Sequence, residues 1–189
     1  MDLHVDRSHQ AFARLANRSV EEIQAKIAKA SCFIAHEKGL ISDAEFRDEL
    51  RAMLQMKLPD DEIDKAWNAM LGDIPLKRLE LLMRLRKDFR VFLLSNTNSI
   101  HLPRFSETVK SNSGEASLDP FFEKAYYSHV MKMRKPDEEI FRHVLEQNQL
   151  VPEHTLFLDD FPINLAGAEK TGIKTFHVQG PQSIFSLFS

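Results

Sequence analysis

Apolar residues in the first part of the chain recur at three- and four-residue spacing. Ile23 pairs with Ile27, Phe46 with Leu50 and Met53-Leu54, and Ile63 with Ala66-Trp67 and Met70-Leu71, so each set draws one stripe down a helix. Ser19-Val20-Glu21-Glu22 and Ser42-Asp43-Ala44-Glu45 place a serine three residues before a glutamate, the capping-box signature of a helix start. Residues 1 to about 75 are therefore predicted to be helices only. Gly39 and the Leu58-Pro59-Asp60 step punctuate them. The stripes predict a small bundle, with Trp67 and the neighbouring methionines in its core.

From Pro75 the pattern changes to helices alternating with strands, which marks a parallel sheet with helices on both faces. A helix carries Leu79, Leu82 and Leu85. Val91-Phe92-Leu93-Leu94, set between a charged pair and a Ser/Asn/Thr cluster, reads as a short buried strand. The stretch 101–118 is polar, with a mobile turn expected at Ser111-Asn112-Ser113-Gly114. Phe121-Phe122 form a packed turn, and Ala125-Tyr126-Tyr127 a second strand. Residues 137–148 form the next helix and Leu156–Leu158 the next strand. Asn164 to Thr171 is helical, Gly172 ends it, and Ile173 to Val178 is a further strand. The apolar tail Ser183–Ser189 is expected to dock against the core or a partner. The predicted organisation is an α/β protein: a helical domain over 1–75 and a Rossmann-like parallel-sheet domain over 76–189.

Composition narrows the function classes. A chain of 189 residues with 43% hydrophobic content can build a real core. Its net charge of −3 provides no long-range field for nucleic acid or an anionic membrane, and no apolar run reaches the length of a membrane helix. The single cysteine, Cys32, excludes an intrachain disulfide and a cysteine-based metal cluster, and is read as a buried helix residue. A cytoplasmic protein is expected. His4, His36 and His129 lack metal-ligand spacing and are read as surface or satisfied core residues.

Three short stretches carry chemistry. Ser95 and Asn96 follow the strand Val91–Leu94, where a hydroxyl, an amide and free backbone N–H groups form an anion cradle. Arg134-Lys135-Pro136-Asp137 opens a helix, and Thr155-Leu156-Phe157-Leu158 ends in Asp159-Asp160. Each has a plain structural reading: a turn, a helix start with Pro136 at the first helical position, and a solvated loop. Together at one sheet edge they predict a phosphate site with a metal. Hard carboxylate oxygens suit Mg²⁺, which shares its ligands with a substrate phosphate. Lys135 would neutralise phosphoryl charge, and Ser95 would donate to a non-bridging oxygen. Asp160 is the first choice of metal ligand and Asp159 the second. Asn164 is expected to orient their loop.

In order and spacing these stretches resemble the haloacid dehalogenase-like hydrolases. Phe92-Leu93-Leu94-Ser95-Asn96-Thr97-Asn98 is similar to that family's second motif, Met133-Arg134-Lys135-Pro136 to its third, and Phe157-Leu158-Asp159-Asp160 with Asn164 and Gly172 to its fourth. Segment 7–75 resembles the helical cap of the branch containing α-glucose-1-phosphate phosphatase-like enzymes. The resemblance implies a Mg²⁺-dependent phosphomonoesterase acting on a small phosphorylated metabolite, such as a sugar phosphate, through an aspartyl-phosphate.

The family's first motif, an apolar strand ending in the nucleophilic aspartate, has no counterpart here. The chain opens Met1-Asp2-Leu3-His4-Val5-Asp6, which offers no strand to aim Asp2 or Asp6. That strand lies mid-sheet in the family, so its loss is expected to unpair two neighbours at roughly 1 kcal/mol for each ladder bond. Met1 is accordingly expected to be an internal methionine of a longer reading frame, and the chain by itself to be inactive. The alternative is a non-catalytic relative that binds phosphate or a partner protein. A phosphoaccepting receiver fits less well, because its aspartate pair comes first in the chain. A dehalogenase fits less well because the Asp159-Asp160 pair argues for a metal.

Overall fold

The computed structural model describes residues 1–188, and divides the chain into two compact units, Met1–His129 and Val130–Ser189. The first unit begins with helices α1 (Val5–Ala16), α2 (Val20–Ile27), α3 (Cys32–Glu37), α4 (Asp43–Leu54) and α5 (Asp60–Asn68). Both predicted capping boxes are present. The Glu22 and Glu45 backbone N–H groups each donate to their serine Oγ at 3.2 Å, and each glutamate carboxylate accepts from the serine N–H, at 3.3 and 2.7 Å. The helices turn Phe12, Ile23, Phe46, Leu50, Ile63 and Trp67 into one core, as the stripes require. Cys32 is buried in the first turn of α3. Arg47 ties α4 to α5 through two bonds to the Asp64 carboxylate, at 2.9 and 2.8 Å. Gly39, in the turn between α3 and α4, has a φ of +58°, and a Cβ there would lie 2.2 Å from the His129 carbonyl oxygen. Only glycine satisfies both conditions.

The segment 1–75 is not helical throughout. Leu3 and Leu71 form an isolated antiparallel bridge, extended by Asp2 N–H to Asp73 carbonyl at 3.0 Å and Gly72 N–H to Asp2 carbonyl at 2.8 Å. A bridge of one residue on each side is too short to carry a period, so the pattern did not announce it.

After α6 (Leu76–Leu85), strand β1 (Phe92–Ser95) pairs in parallel with β2 (Lys124–Tyr127), in the register Phe92↔Lys124 to Ser95↔Tyr127. Ser95 is thus the last residue of the strand rather than the first beyond it. The polar connection between the strands holds α7 (His101–Ser113), which ends at Gly114 in the left-handed region, so most of the turn expected at 111–114 is the last turn of a helix. Phe105 and Val109 form a narrow apolar stripe, buried with Leu79, Phe121 and Phe122. Asn112, assigned to a mobile turn, is anchored by Nδ2 bonds to the Asp73 carboxylate and the Ile74 carbonyl, at 2.7 and 2.8 Å. His101 is buried as well and Leu102 partly so, which completes the inward face of the helix.

A single turn, α8 (Ser128–Met131), leads into the second unit, which holds α9 (Glu138–Asn148), β3 (Leu156–Asp159), α10 (Pro162–Glu169), β4 (Lys174–His177) and α11 (Pro181–Leu187). Pro136 precedes the helix rather than opening it. Asp137 is the N-cap of α9, and the Lys135–Pro136 peptide is cis. Strands β3 and β4 are parallel, in the register Leu156↔Lys174 to Asp159↔His177. The four strands therefore form two parallel pairs, one in each unit. All β1 residues are only half-buried, in contrast to the buried strand expected. A two-stranded sheet leaves one edge of β1 without a strand among the described residues. The tail forms α11, with Ile184 and Phe185 half-buried, and its last residue, Ser189, lies outside the described residues. No helix among the described residues is long and apolar enough to cross a membrane.

Gly167 sets how closely α10 approaches the loop before α9. A Cβ at this position would lie 2.2 Å from the Pro136 carbonyl oxygen. On an exposed helix Gly→Ala stabilises by about 1 kcal/mol. At Gly167 the sign reverses, and Gly167→Ala is expected to destabilise the protein by about 1–3 kcal/mol. A thermal melt unchanged or raised by this substitution would contradict the close approach.

Candidate functional site

Within the second unit the fold brings together Lys135 and Asp159, which are 24 residues apart. The Lys135 ammonium donates to Asp159 Oδ2 at 2.7 Å, with side-chain exposures of 10% and 5%. The other carboxylate oxygen, Oδ1, accepts from the Phe161 N–H and from Asn164 Nδ2, each at 2.9 Å. Asp159 is thus a buried carboxylate with both oxygens engaged, held by its own loop, by α10 and by the lysine. Asn164 orients the loop after β3, as the sequence suggested. The Lys135 ammonium lies 5.3 Å from the centre of the Phe157 ring, which packs edge-on against Phe141 at 5.2 Å. An apolar wall of this kind keeps the ammonium from water and strengthens its pairing.

Asp160 stands apart from this arrangement. Its side chain is exposed, and its backbone carbonyl is 3.3 Å from His177 Nε2 on β4. In donor chemistry the loop after β3 suits a hard cation. Asp160 presents a carboxylate at the carboxyl end of the strand, and Mg²⁺ takes few protein ligands while keeping waters and substrate oxygens. Asp160 would be the direct ligand, with Asp159 turned towards Lys135. Among the described residues no group of three His, Cys, Asp or Glu side chains is placed to hold a metal.

Ser95 and Asn96 belong to the first unit, at the carboxyl end of β1, and both are half-buried. The residues after them are tightly held. Thr97 is buried, and its N–H donates to Ser128 Oγ at 2.9 Å while its carbonyl accepts from the same hydroxyl at 2.8 Å. Asn98 Oδ1 accepts from the N–H groups of Ile100 and His101, at 3.1 and 2.9 Å, and so begins α7. The Ser99 hydroxyl donates to Asp43, which also bonds His36 Nε2 at 2.8 Å. Burial raises the Asp43 pKa, but the hydrogen bonds from His36 and Ser99 outweigh it and hold the carboxyl below its ordinary value. Asp43, Ser99, Arg47, Asp64 and Asn68 also line a cleft of about 360 Å³.

Sequence reasoning missed His101. It is buried, stacks on Trp67 at 4.7 Å between ring centres, and its Nδ1 is 2.8 Å from Asn68 Oδ1. Burial, and then the nearby His36, push its pKa from 6.5 down to about 3. With Nδ1–H donating to Asn68, the lone pair sits on Nε2, which is buried without a partner. His36 is also less than fully satisfied. It stacks on Phe46 at 4.2 Å, but its Nδ1 has no partner. The only signal for His101 was its place in the polar stretch after Asn98, which gives no hint of burial. Asp2, considered as a substitute nucleophile, pairs instead with Arg78 at 2.8 Å, and Asp6 sits exposed in the first turn of α1.

Comparison with known proteins adds four observations. The family model described as haloacid dehalogenase-like hydrolase matches residues 97–178. A D-ribitol-5-phosphate phosphatase from Bacteroides thetaiotaomicron is 30% identical over 176 residues, covering 93% of this chain and 85% of the relative. A HAD family enzyme from the same organism is similar in structure, with a TM-score of 0.91 and 37% identity over 100% of this chain and 92% of that one. Its wild-type complex with magnesium and inorganic phosphate gives a TM-score of 0.85 and 38% identity, over 100% of this chain and 93% of that one.

Proposed function

Because this chain belongs to the haloacid dehalogenase-like hydrolases, we propose that it is a Mg²⁺-dependent phosphomonoester hydrolase acting on a small phosphorylated metabolite, of the sugar- or polyol-phosphate class. The observation that carries this reading is the likeness, over 93% of the chain, to a phosphatase of ribitol 5-phosphate. The structure of the similar enzyme with magnesium and inorganic phosphate supports the choice of metal and ligand. Ser95 and Asn96 are assigned hydrogen bonds to phosphoryl oxygens, and Lys135 the neutralisation of phosphoryl charge. Asp160 is assigned to the metal, and Asp159 to holding Lys135. Magnesium would draw charge from a bound phosphate and lower the barrier to its transfer. The helical segment 1–75 is proposed as the cap that selects the substrate over a core formed by 76–189.

The test is hydrolysis of an aryl phosphate in the presence of Mg²⁺, by this chain and by the chain extended upstream in its reading frame. Turnover in either form is expected to vanish with a chelator, and to fall by about 10²-fold or more in Asp160→Ala. If neither form turns over while both bind Mg²⁺ and phosphate, a non-catalytic phosphate-binding protein replaces the enzyme.

A further inference from the structure

We propose that the loop following β1 is fixed by two side-chain clamps, and that Ser128 and Asp43 are thereby positioning residues for Ser95 and Asn96. The inference rests on the phosphate-binding role assigned to those two residues. Backbone pairing between β1 and β2 ends at Ser95↔Tyr127. One step further, the fully buried Ser128 hydroxyl bonds both the N–H and the carbonyl of Thr97, at 2.9 and 2.8 Å. A side chain thus supplies the next rung of the ladder. It holds a peptide two residues from Ser95 where no strand reaches.

The second clamp grips the other end of the loop. Ser99 donates to Asp43 of α4, whose carboxylate is braced by His36 at 2.8 Å. His36 is itself seated on Phe46. One residue-pair on, His101 is fixed by Asn68 and Trp67 of α5. Residues 97–99 therefore run between an anchor beside the sheet and an anchor on the helical bundle, formed by partners 31 and 56 residues away in sequence, and Asn96 lies between the last strand pair at Ser95 and the first of these anchors. A loop tied at both ends presents its hydroxyl and amide in one geometry, and does not have to be ordered when an anion binds. The same contacts make that geometry answer to the position of α4.

Amide hydrogen exchange together with binding of inorganic phosphate in Mg²⁺ tests this. In Ser128→Ala the Thr97 amide is expected to exchange at least about tenfold faster, while amides of α4 and α5 keep their wild-type protection. Phosphate affinity is expected to fall by about 10- to 100-fold, and Ser128→Thr, which keeps the hydroxyl, to restore both. Ser99→Ala removes the second clamp at an exposed position, so the test does not depend on a buried substitution being tolerated. It is expected to loosen Ser99 and Ile100 in the same local way. Unchanged exchange in both variants would overturn the clamps. Faster local exchange with unchanged phosphate affinity would reduce Ser128 to a structural residue and overturn the positioning role. Should the wild-type chain bind no phosphate, the proposed function fails, and exchange alone decides whether the clamps exist.

Discussion

Lys135→Met is expected to destabilise the unit Val130–Ser189 by about 3–5 kcal/mol. The reason is what the substitution leaves behind. Asp159 is 7% exposed and bonded to Lys135 at 2.7 Å. Without the ammonium, the Phe161 N–H and the Asn164 amide must balance a buried negative charge by themselves, and neutral donors do this poorly. Adding Asp159→Asn should recover part of the loss, because an amide oxygen still accepts from both donors and carries no charge. Urea unfolding of the two single variants and the double variant measures the coupling directly. A loss below about 1 kcal/mol in Lys135→Met, the range of an exposed ion pair, would mean that the pair is solvated. Under the proposed function turnover would vanish as well, but the stability result stands without it.

The second large effect is acid sensitivity from His101. In the unfolded chain this imidazole takes up a proton near its ordinary value of 6.5, whereas in the folded chain burial and His36 delay protonation to about 3. Between those values the unfolded state binds the extra proton, so stability falls as pH falls, by up to roughly 1.4 kcal/mol per pH unit. Above pH 6.5 the group contributes no slope. The lowered pKa of Asp43 acts in the same direction, but only below its ordinary value of 3.8. Glu21, Glu45 and Glu123, also held below their ordinary value of 4.5 by hydrogen bonds, add to the slope at the acid end, so the comparison with a His101 variant between about pH 6 and 4.5 is what isolates this group. Denaturant midpoints followed through this interval should decline in the wild type and flatten in His101→Gln. Parallel slopes for the two proteins would show that His101 takes up its proton as readily folded as unfolded.

Much of the fold was legible because it is written in periodic or punctuating residues. The serine–glutamate pairs at 19/22 and 42/45, the stripe through Phe46 and Leu50, and the apolar runs at 92–94 and 156–158 all describe what a single element does with its own residues. Other features depend on partners far away in the chain and leave no local trace. Helix α7 rests on Phe105 and Val109 among polar neighbours, so its period was hidden. Asn17, Gln55 and Gln149 end helices in the left-handed region, where a glycine would have been the readable signal. The motif residues of the candidate site were visible as types, and what each one touches was not. Lys135 was placed against phosphate, yet in the fold its ammonium lies on Asp159. Ser128 and His101 drew no attention, because a serine after a strand and a histidine in a polar stretch acquire meaning only from Thr97 and Trp67.

Trp67 is the sole tryptophan of the chain, and its stacking on His101 has an optical consequence. An imidazolium quenches indole emission far more strongly than a neutral imidazole does. While His101 is held neutral the emission should stay bright through mild acid, and dim only when the packing around α5 and the start of α7 gives way. The residues 130–189 contain no tryptophan, so this fluorescence is silent about them. Steady-state emission thus follows the unfolding of the unit Met1–His129 without a label, and differs from circular dichroism wherever the two units unfold at different points.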